Sequence, residues 1–289
     1  MFELDDNDSL SIEGIEPMIV NVKNLDFLGR AKRLTVIAVV ISAILCIGGI
    51  FFGIYQDNPL ITAVWKGNDI VTLLVALPMI LLAVKRMETT DRSHIVDLLI
   101  WLGGLWYLIY NYIFYVYGAA FNIFFLGYVA MVIFSTAALV FGLIHSSTRI
   151  DHFDDIRYSF KSISNFMFGF AMLLGLMWTL LAASYWFTQV VPIAITQTGH
   201  PTGVVFATDL IFLVFPLFMT AIFLRKGNKW AMFLTPVIMV KCCLYPLVFV
   251  AAGLLAYIET GVYDILTPIY LLFGFGCAWV LRVMILRLK

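Results

Sequence analysis

The chain has 289 residues, of which 62% are hydrophobic and only 12% are charged. Soluble globular domains are nearer one quarter charged, so this composition excludes a soluble domain and predicts an all-α, polytopic membrane helix bundle. The apolar runs are continuous and do not alternate, which excludes a transmembrane β-barrel, and the zero net charge leaves no basic surface for nucleic acid.

The first 33 residues are predominantly polar, beginning with acidic residues and ending in Arg30, Lys32 and Arg33. We predict that residues 1–33 are a cytoplasmic tail whose last ten residues form a juxtamembrane helix on the anionic leaflet. A plain solvated tail is the alternative. Because no basic start precedes an apolar core, we expect no cleavable signal peptide.

Residues 34–289 are predicted to form one transmembrane domain with eight spans. The predicted spans are 34–55, 69–84, 95–117, 121–144, 165–187, 203–224, 231–256 and 265–286. Lysines and arginines concentrate in every second connection, and the other connections hold only Lys66. Since cytoplasmic loops carry an excess of lysine and arginine, both termini are predicted to be cytoplasmic.

The second and sixth spans share a pattern. Each has an aspartate near its outer end and a proline further along, namely Asp69 with Pro78 and Asp209 with Pro216, and each ends in a basic pair. The pattern predicts a duplication of residues 34–144 as 165–286, with two parallel halves related by an axis along the membrane normal. The alternative is chance likeness among apolar segments.

Two charges lie inside apolar runs, Asp209 in the sixth span and Lys241 in the seventh. A lone charge in lipid is strongly unfavourable, so we predict that the two pair in the outer half of the membrane, with Tyr245 one turn from Lys241. Intramembrane charges commonly mark ligand sites or pathways. The alternative is a buried ion pair that only fixes helix packing.

The remaining polar residues of the membrane zone concentrate in the same outer half. We predict a polar cavity that opens outward, unless these side chains form an interfacial aromatic belt. Its floor is predicted to be Asp209 and Lys241, its walls Asn111, Tyr107, Tyr115 and Tyr245, and its mouth Asp69, Asn122 and His200.

Sequence motifs for nucleotide binding, serine hydrolysis or zinc proteolysis are absent, and we predict no cofactor. None of the four histidines lies in the middle of a span, which disfavours a transmembrane haem. The loop 145–164 contains histidines and aspartates, but their spacing indicates no metal site, and an interfacial amphipathic helix is the favoured interpretation. The four cysteines lie in apolar runs and are predicted to be packing residues.

Three functional hypotheses follow. The first is transport or binding of a small polar or ionic ligand, the second an intramembrane enzyme using Asp209 or His200 on outer-leaflet lipid, and the third a membrane scaffold. A cavity continuing past Lys241 would favour transport, and a blind pocket beside a lipid-facing gap would favour an enzyme or receptor. The lipid bilayer and a small polar or ionic ligand are the predicted partners. No feature indicates an oligomeric state.

Two stretches, NYIFYVYGAAFN and HPTGVVFATD, together with the lysine of VIMVKCC, resemble segments of an uncharacterised group of bacterial polytopic membrane proteins. The resemblance runs from about residue 67 to residue 241. The group has no assigned activity, so the resemblance implies no catalytic residues. It implies a bacterial inner-membrane location.

Overall fold

The computed structural model describes residues 26–89, 94–147, 150–153, 160–200, 202–261, 263 and 265–288. These ranges contain no strand and eight helices long and apolar enough to cross a membrane, which confirms the predicted all-α, multi-pass bundle. The helices are α1 (Phe27–Phe51), α2 (Pro59–Met87), α3 (Ile95–Gly118), α4 (Phe125–Ser147), α5 (Lys161–Thr188), α6 (Val204–Arg225), α7 (Lys229–Glu259) and α8 (Thr267–Arg287).

Helix α1 begins earlier than the apolar run suggests. Asp26 caps it by accepting a 2.8 Å hydrogen bond from the backbone N–H of Gly29, and the helix then continues without a break to Phe51. The basic residues up to Arg33 therefore lie in the first turns of α1 and not in a separate juxtamembrane helix. The rest of the predicted tail, residues 1–25, lies outside the described residues.

Helix α2 is also longer than predicted. Asn58 caps its start through a 3.0 Å bond from the backbone N–H of Ile61, and Pro59 occupies a first-turn position where its missing N–H costs nothing. The added turns contain Lys66, which lies 3.9 Å from Glu259 of α7. The expected start at residue 69 was wrong because the polar residues before it are helical.

Successive helices run in opposite directions, so the connections alternate between the two ends of the bundle. Loops 52–58, 119–124 and 189–200 share one end, which we call the Tyr55 side, because Asn58 donates to the carbonyl of Gln197 at 3.0 Å and the N–H of Ala120 donates to Asp57 at 3.2 Å. Tyr263 and Ile265 line a cavity with residues of these loops and lie at the same end, and Arg86 marks the other end, the Arg86 side. The distribution of basic residues predicts that the Tyr55 side faces outward.

Helices α3 and α7 form the centre of the bundle. Helix α3 contacts α2, α4, α6 and α7, and α7 contacts α2, α3, α6 and α8. Their close approach requires Gly103, because a Cβ atom there would lie 2.5 Å from Val240 Cβ and 2.6 Å from the carbonyl oxygen of Val237. The side chains that project from these two helices therefore meet between the halves of the chain.

The packing has the order that a duplication would produce, although the duplication itself stays a prediction. The contacts α1–α2, α2–α3 and α3–α4 correspond to α5–α6, α6–α7 and α7–α8, and the α2–α7 contact corresponds to α6–α3. The outer helix pairs differ. Helices α1 and α4 pack along their length, whereas α5 and α8 meet through Phe170 and Phe273, whose rings stack at 4.6 Å.

A π-helical segment interrupts both α2 and α6, at Thr72–Ala76 and Leu210–Val214. Each lies just before a proline, Pro78 or Pro216, which has no N–H for the carbonyl one turn earlier. In α6 the carbonyl without that partner belongs to Phe212, and it accepts a 3.2 Å hydrogen bond from the indole of Trp106 on α3. This hydrogen bond thus links the π-helical segment of α6 to the central helix α3.

Candidate functional site

Asp209 is fully buried and lies immediately before the π-helical segment of α6. Three helices supply donors to its carboxylate. The Trp178 indole of α5 donates to Oδ2 at 2.8 Å, the Tyr245 hydroxyl of α7 donates to Oδ2 at 3.0 Å, and the Tyr110 hydroxyl of α3 donates to Oδ1. Hydrogen bonds to a charged acceptor are the strong ones, so this carboxylate joins four helices at one point.

Lys241 is also fully buried, but it does not contact Asp209. Its Nζ lies 3.6 Å from the ring centroid of Tyr110 and 4.1 Å from that of Tyr245. Within the described ranges no carboxylate oxygen lies within 4.0 Å of Nζ and no atom accepts a hydrogen bond from it. The two charges therefore form no direct ion pair, and their predicted pairing takes an indirect form.

The two tyrosines connect the charges instead. Each presents its ring face to the ammonium of Lys241 and donates its hydroxyl to Asp209. A cation is attracted to the face of an aromatic ring, and a phenol donates readily to a carboxylate. Asp209, Tyr110, Trp178, Tyr245 and Lys241 are called the Asp209 cluster below.

A cavity of about 630 Å³ lies on the Tyr55 side of this cluster. Its walls come from α2, α3 and α5–α8 and are mostly apolar, while Tyr110, Trp178 and Tyr245 form part of its surface. Asp209 and Lys241 do not line it, so the predicted charged floor is replaced by the three donors that bind Asp209. Because those donors are already engaged, the tyrosine oxygens offer the cavity lone pairs and not hydrogens.

Asn111 is a further polar residue of the cavity lining. It is 3% exposed and lines the cavity, and its Nδ2 has no hydrogen-bond partner among the described residues. A buried amide nitrogen without a partner is unfavourable, so this side chain gains a hydrogen bond if its amide turns toward a polar group in the cavity. The cavity therefore presents the acceptor oxygens of the tyrosines, and one of its lining residues contains a buried, unpaired amide nitrogen.

Tyr107 and Tyr115 share the helical stripe of Asn111 but do not line the cavity, contrary to the prediction. Their longer side chains reach α2, where Tyr107 bonds Thr72 at 3.0 Å and Tyr115 donates to Asp69 at 2.8 Å. Tyr115 thereby belongs to a second cluster in the first half of the chain.

In this second cluster the carboxylate of Asp69 is 3% exposed and also accepts a 2.5 Å hydrogen bond from Tyr55. Burial, together with the negative charge of Asp69, raises the pKa of Tyr55, so its hydroxyl stays a neutral donor. Gly49 provides the space, because a Cβ atom there would lie 2.1 Å from Asp69 Oδ2. Asp69, Tyr55 and Tyr115 are called the Asp69 cluster.

None of the three predicted mouth residues lines the cavity. Asp69 is buried in its own cluster. Asn122 holds its own loop, donating to the Ala120 carbonyl at 3.0 Å and accepting from the Phe124 N–H at 2.9 Å. His200 is 9% exposed, and its ring packs edge-on against Phe114 at 6.1 Å. The shared outer location of these residues did not bring them to one surface.

The sequence prediction omitted Tyr110, Trp178 and Tyr55. Tyr110 could have been predicted from the sequence, because it directly precedes Asn111 in a tyrosine-rich helix end and a buried aspartate requires hydrogen-bond donors. Trp178 has no such signal, since it is a single aromatic residue in an apolar span. Tyr55 lies in a short loop beyond α1, so only the fold brings it to Asp69.

The expected absence of a metal site from the loop 145–164 stays a prediction, because only part of that loop is described. Across the described residues no group of three or more histidine, cysteine or acidic side chains is placed to hold an ion. Residues 148–149 and 154–159 of that loop lie outside the described residues. The four cysteines are free thiols, buried except for Cys243, which is half-buried.

No protein-family model, curated protein or solved structure matches the chain. The resemblance to an uncharacterised bacterial group, and the bacterial location that it implies, therefore stay predictions.

Proposed function

We propose that this membrane protein binds a small molecule in the cavity and holds the polar group of that molecule against Tyr110, Asn111 and Tyr245. One observation carries the proposal: an apolar cavity of about 630 Å³ ends on a few convergent polar groups, one of them unpaired. Ligand pockets in proteins have this volume range and this pattern of apolar walls with a few polar contacts.

The Asp209 cluster has a positioning role in this proposal. The carboxylate orients Tyr110 and Tyr245 by accepting their hydroxyl hydrogens, and the cation of Lys241 lies over both rings. Both rings are thereby fixed by two charged groups that do not themselves reach the cavity. Such support keeps ligand-contacting atoms in one geometry and limits the entropy lost on binding.

Binding is favoured over passage through the membrane, because the cavity ends at the tyrosines. On α7 its lining begins at Tyr245 and continues only toward the Tyr55 side, and on α3 it begins at Tyr110. Transport is the second candidate, supported by the π-helical segments of α2 and α6. Each has a proline beside it and lies near the level of a buried aspartate, and π-helical segments often occur at functional sites.

An acid–base enzyme receives less support. Both oxygens of Asp209 accept hydrogen bonds from other side chains, and neither Asp209 nor His200 lines the cavity. A general acid or base must reach its substrate within hydrogen-bond distance. We further propose, from the basic residues of the Arg86 side, that the cavity opens at the outer face of a bacterial cell membrane.

The proposal is tested by native mass spectrometry of the full chain, purified in mild detergent. Wild-type protein is expected to retain a bound molecule of constant mass. Val248, which is 4% exposed and lines the cavity, is changed to phenylalanine to fill the space. Val248→Phe is expected to lose the adduct, while Val140→Phe on the exposed surface of α4 keeps it. Equal adducts on wild type and Val248→Phe would contradict the proposal.

A further inference from the structure

The two outer helix pairs of the bundle differ on the Tyr55 side. In α5 no residue after Ala171 is buried, and in the described part of α8 none before Cys277 is buried. The corresponding parts of α1 and α4 are closely packed, with Leu45 and Tyr128 buried. Between the Phe170–Phe273 stack and the Tyr55 side, α5 and α8 thus lack the packing that closes the equivalent pair.

The cavity lies behind this unsealed pair. Trp178 lines it from α5, Tyr270 from the first turn of α8, and Ile265 from the loop just before α8. Ile265 is 82% exposed, and Trp178 is half-buried. The cavity wall therefore continues onto the exposed apolar surface between α5 and α8.

The charge of the lining restricts what the cavity can hold. No lysine, arginine, aspartate or glutamate is among the lining residues, and the two buried charges beyond the floor are engaged with the tyrosines. A net-charged group would lose its hydration there without an opposite charge to bind, which is strongly unfavourable. A hydroxyl or amide group, by contrast, can donate to a tyrosine oxygen and accept from Asn111 when the amide of that residue turns toward the cavity.

We propose that the ligand is a neutral lipid, with an apolar chain and a hydroxyl or amide head, that enters from the bilayer between α5 and α8. The head binds Tyr110, Asn111 and Tyr245, and the chain extends between the two helices toward lipid. This inference rests on the proposed function and names the ligand class of the same cavity. It accounts for the unpaired amide of Asn111 and for the exposed apolar surface of α5 and α8 together.

Photolabelling tests this inference with the full chain in phosphatidylcholine vesicles. One probe is a long-chain primary alcohol with a diazirine in the chain, and the second has the same chain with a phosphocholine head. The alcohol is expected to label cavity segments of α5, α7 and α8, and the phosphocholine probe to label lipid-facing surface only. A third probe, a short-chain, water-soluble alcohol with a diazirine, tests whether a ligand with the same head group enters the cavity from water and not from the bilayer.

Variants make the result specific. Asn111→Leu removes one hydrogen bond to the head and is expected to lower cavity labelling about two- to tenfold, as the loss of one such bond implies. Val248→Phe is expected to abolish cavity labelling, and Val140→Phe to leave it unchanged. Equal cavity labelling by both long-chain probes, or no effect of Asn111→Leu, would overturn the inference, as would labelling by the short-chain probe alone.

The inference and the proposed function can fail separately. If native mass spectrometry shows an adduct that Val248→Phe removes, but the long-chain alcohol does not label the cavity, the binding proposal stands and the lipid is excluded. If no adduct is retained and no probe labels the cavity, both are wrong.

Discussion

Replacing Asp209 with asparagine tests the arrangement of the Asp209 cluster most directly. The amide keeps one acceptor oxygen and places an NH₂ group where Oδ2 now accepts from Trp178 at 2.8 Å and from Tyr245 at 3.0 Å. Hydrogen bonds to a charged acceptor contribute about 1.5–3 kcal/mol, and a buried cation that loses its opposite charge costs about 3–5 kcal/mol. We expect Asp209→Asn to lower the free energy of unfolding by about 3–5 kcal/mol.

The change Lys241→Met is expected to cost less, because the charges are joined through tyrosines and not directly. Methionine has a similar length and contacts aromatic rings favourably, and Asp209 keeps all three donors. The loss is then mainly the cation–π attraction, about 2 kcal/mol at a desolvated site. The double variant should cost less than the two single changes together, by about 1–2 kcal/mol, as in other coupled networks.

The assay is reversible unfolding in mixed micelles with increasing sodium dodecyl sulfate, followed by circular dichroism. Lys226→Met, at an exposed position on the Arg86 side, is the matched control and should change the free energy by less than about 0.5 kcal/mol. If Lys241→Met costs as much as Asp209→Asn, or if the two changes add without coupling, the tyrosine-bridged arrangement is refuted.

Three further predictions concern the Asp69 cluster and the topology. Gly49→Ala puts a Cβ atom 2.1 Å from Asp69 Oδ2 and should destabilise the protein by about 1–3 kcal/mol in the same unfolding assay. An unchanged free energy of unfolding would show that the Asp69 cluster can rearrange without loss of stability. Tyr55→Phe leaves one carboxylate oxygen without its donor and should cost about 1–3 kcal/mol, whereas a cost near zero would contradict the hydrogen bond. Impermeant thiol labelling should modify Thr196→Cys from outside and Lys226→Cys only from inside, and the reverse pattern would invert the topology.

The sequence by itself determined the class of the protein and the number of its spans. Hydropathy averages over a whole helix, so eight long apolar runs predict eight helices whatever their arrangement. Asp209 and Lys241 are easily recognised in the sequence because each is a single charge among apolar residues. Their burial follows from the unfavourable transfer of a charge into lipid. Helix α2 was predicted too short because the polar residues of its first turns contact protein and not lipid.

Only the tertiary structure decided which polar groups meet. Tyr107, Asn111 and Tyr115 share one stripe of α3, yet Asn111 lines the cavity while Tyr115 binds Asp69. The expected single site is two clusters, because α3 lies between the halves and presents side chains to both.

The structure also decided how the two charges are linked and where the cavity opens. Tyr110 and Tyr245 separate Lys241 from Asp209, and α5 and α8 remain unsealed where α1 and α4 are packed. Apolar residues that face lipid and apolar residues that face protein have the same composition. Hydropathy therefore cannot distinguish a closed helix pair from an open one. Packing between helices that are distant in the sequence determines which pair is closed.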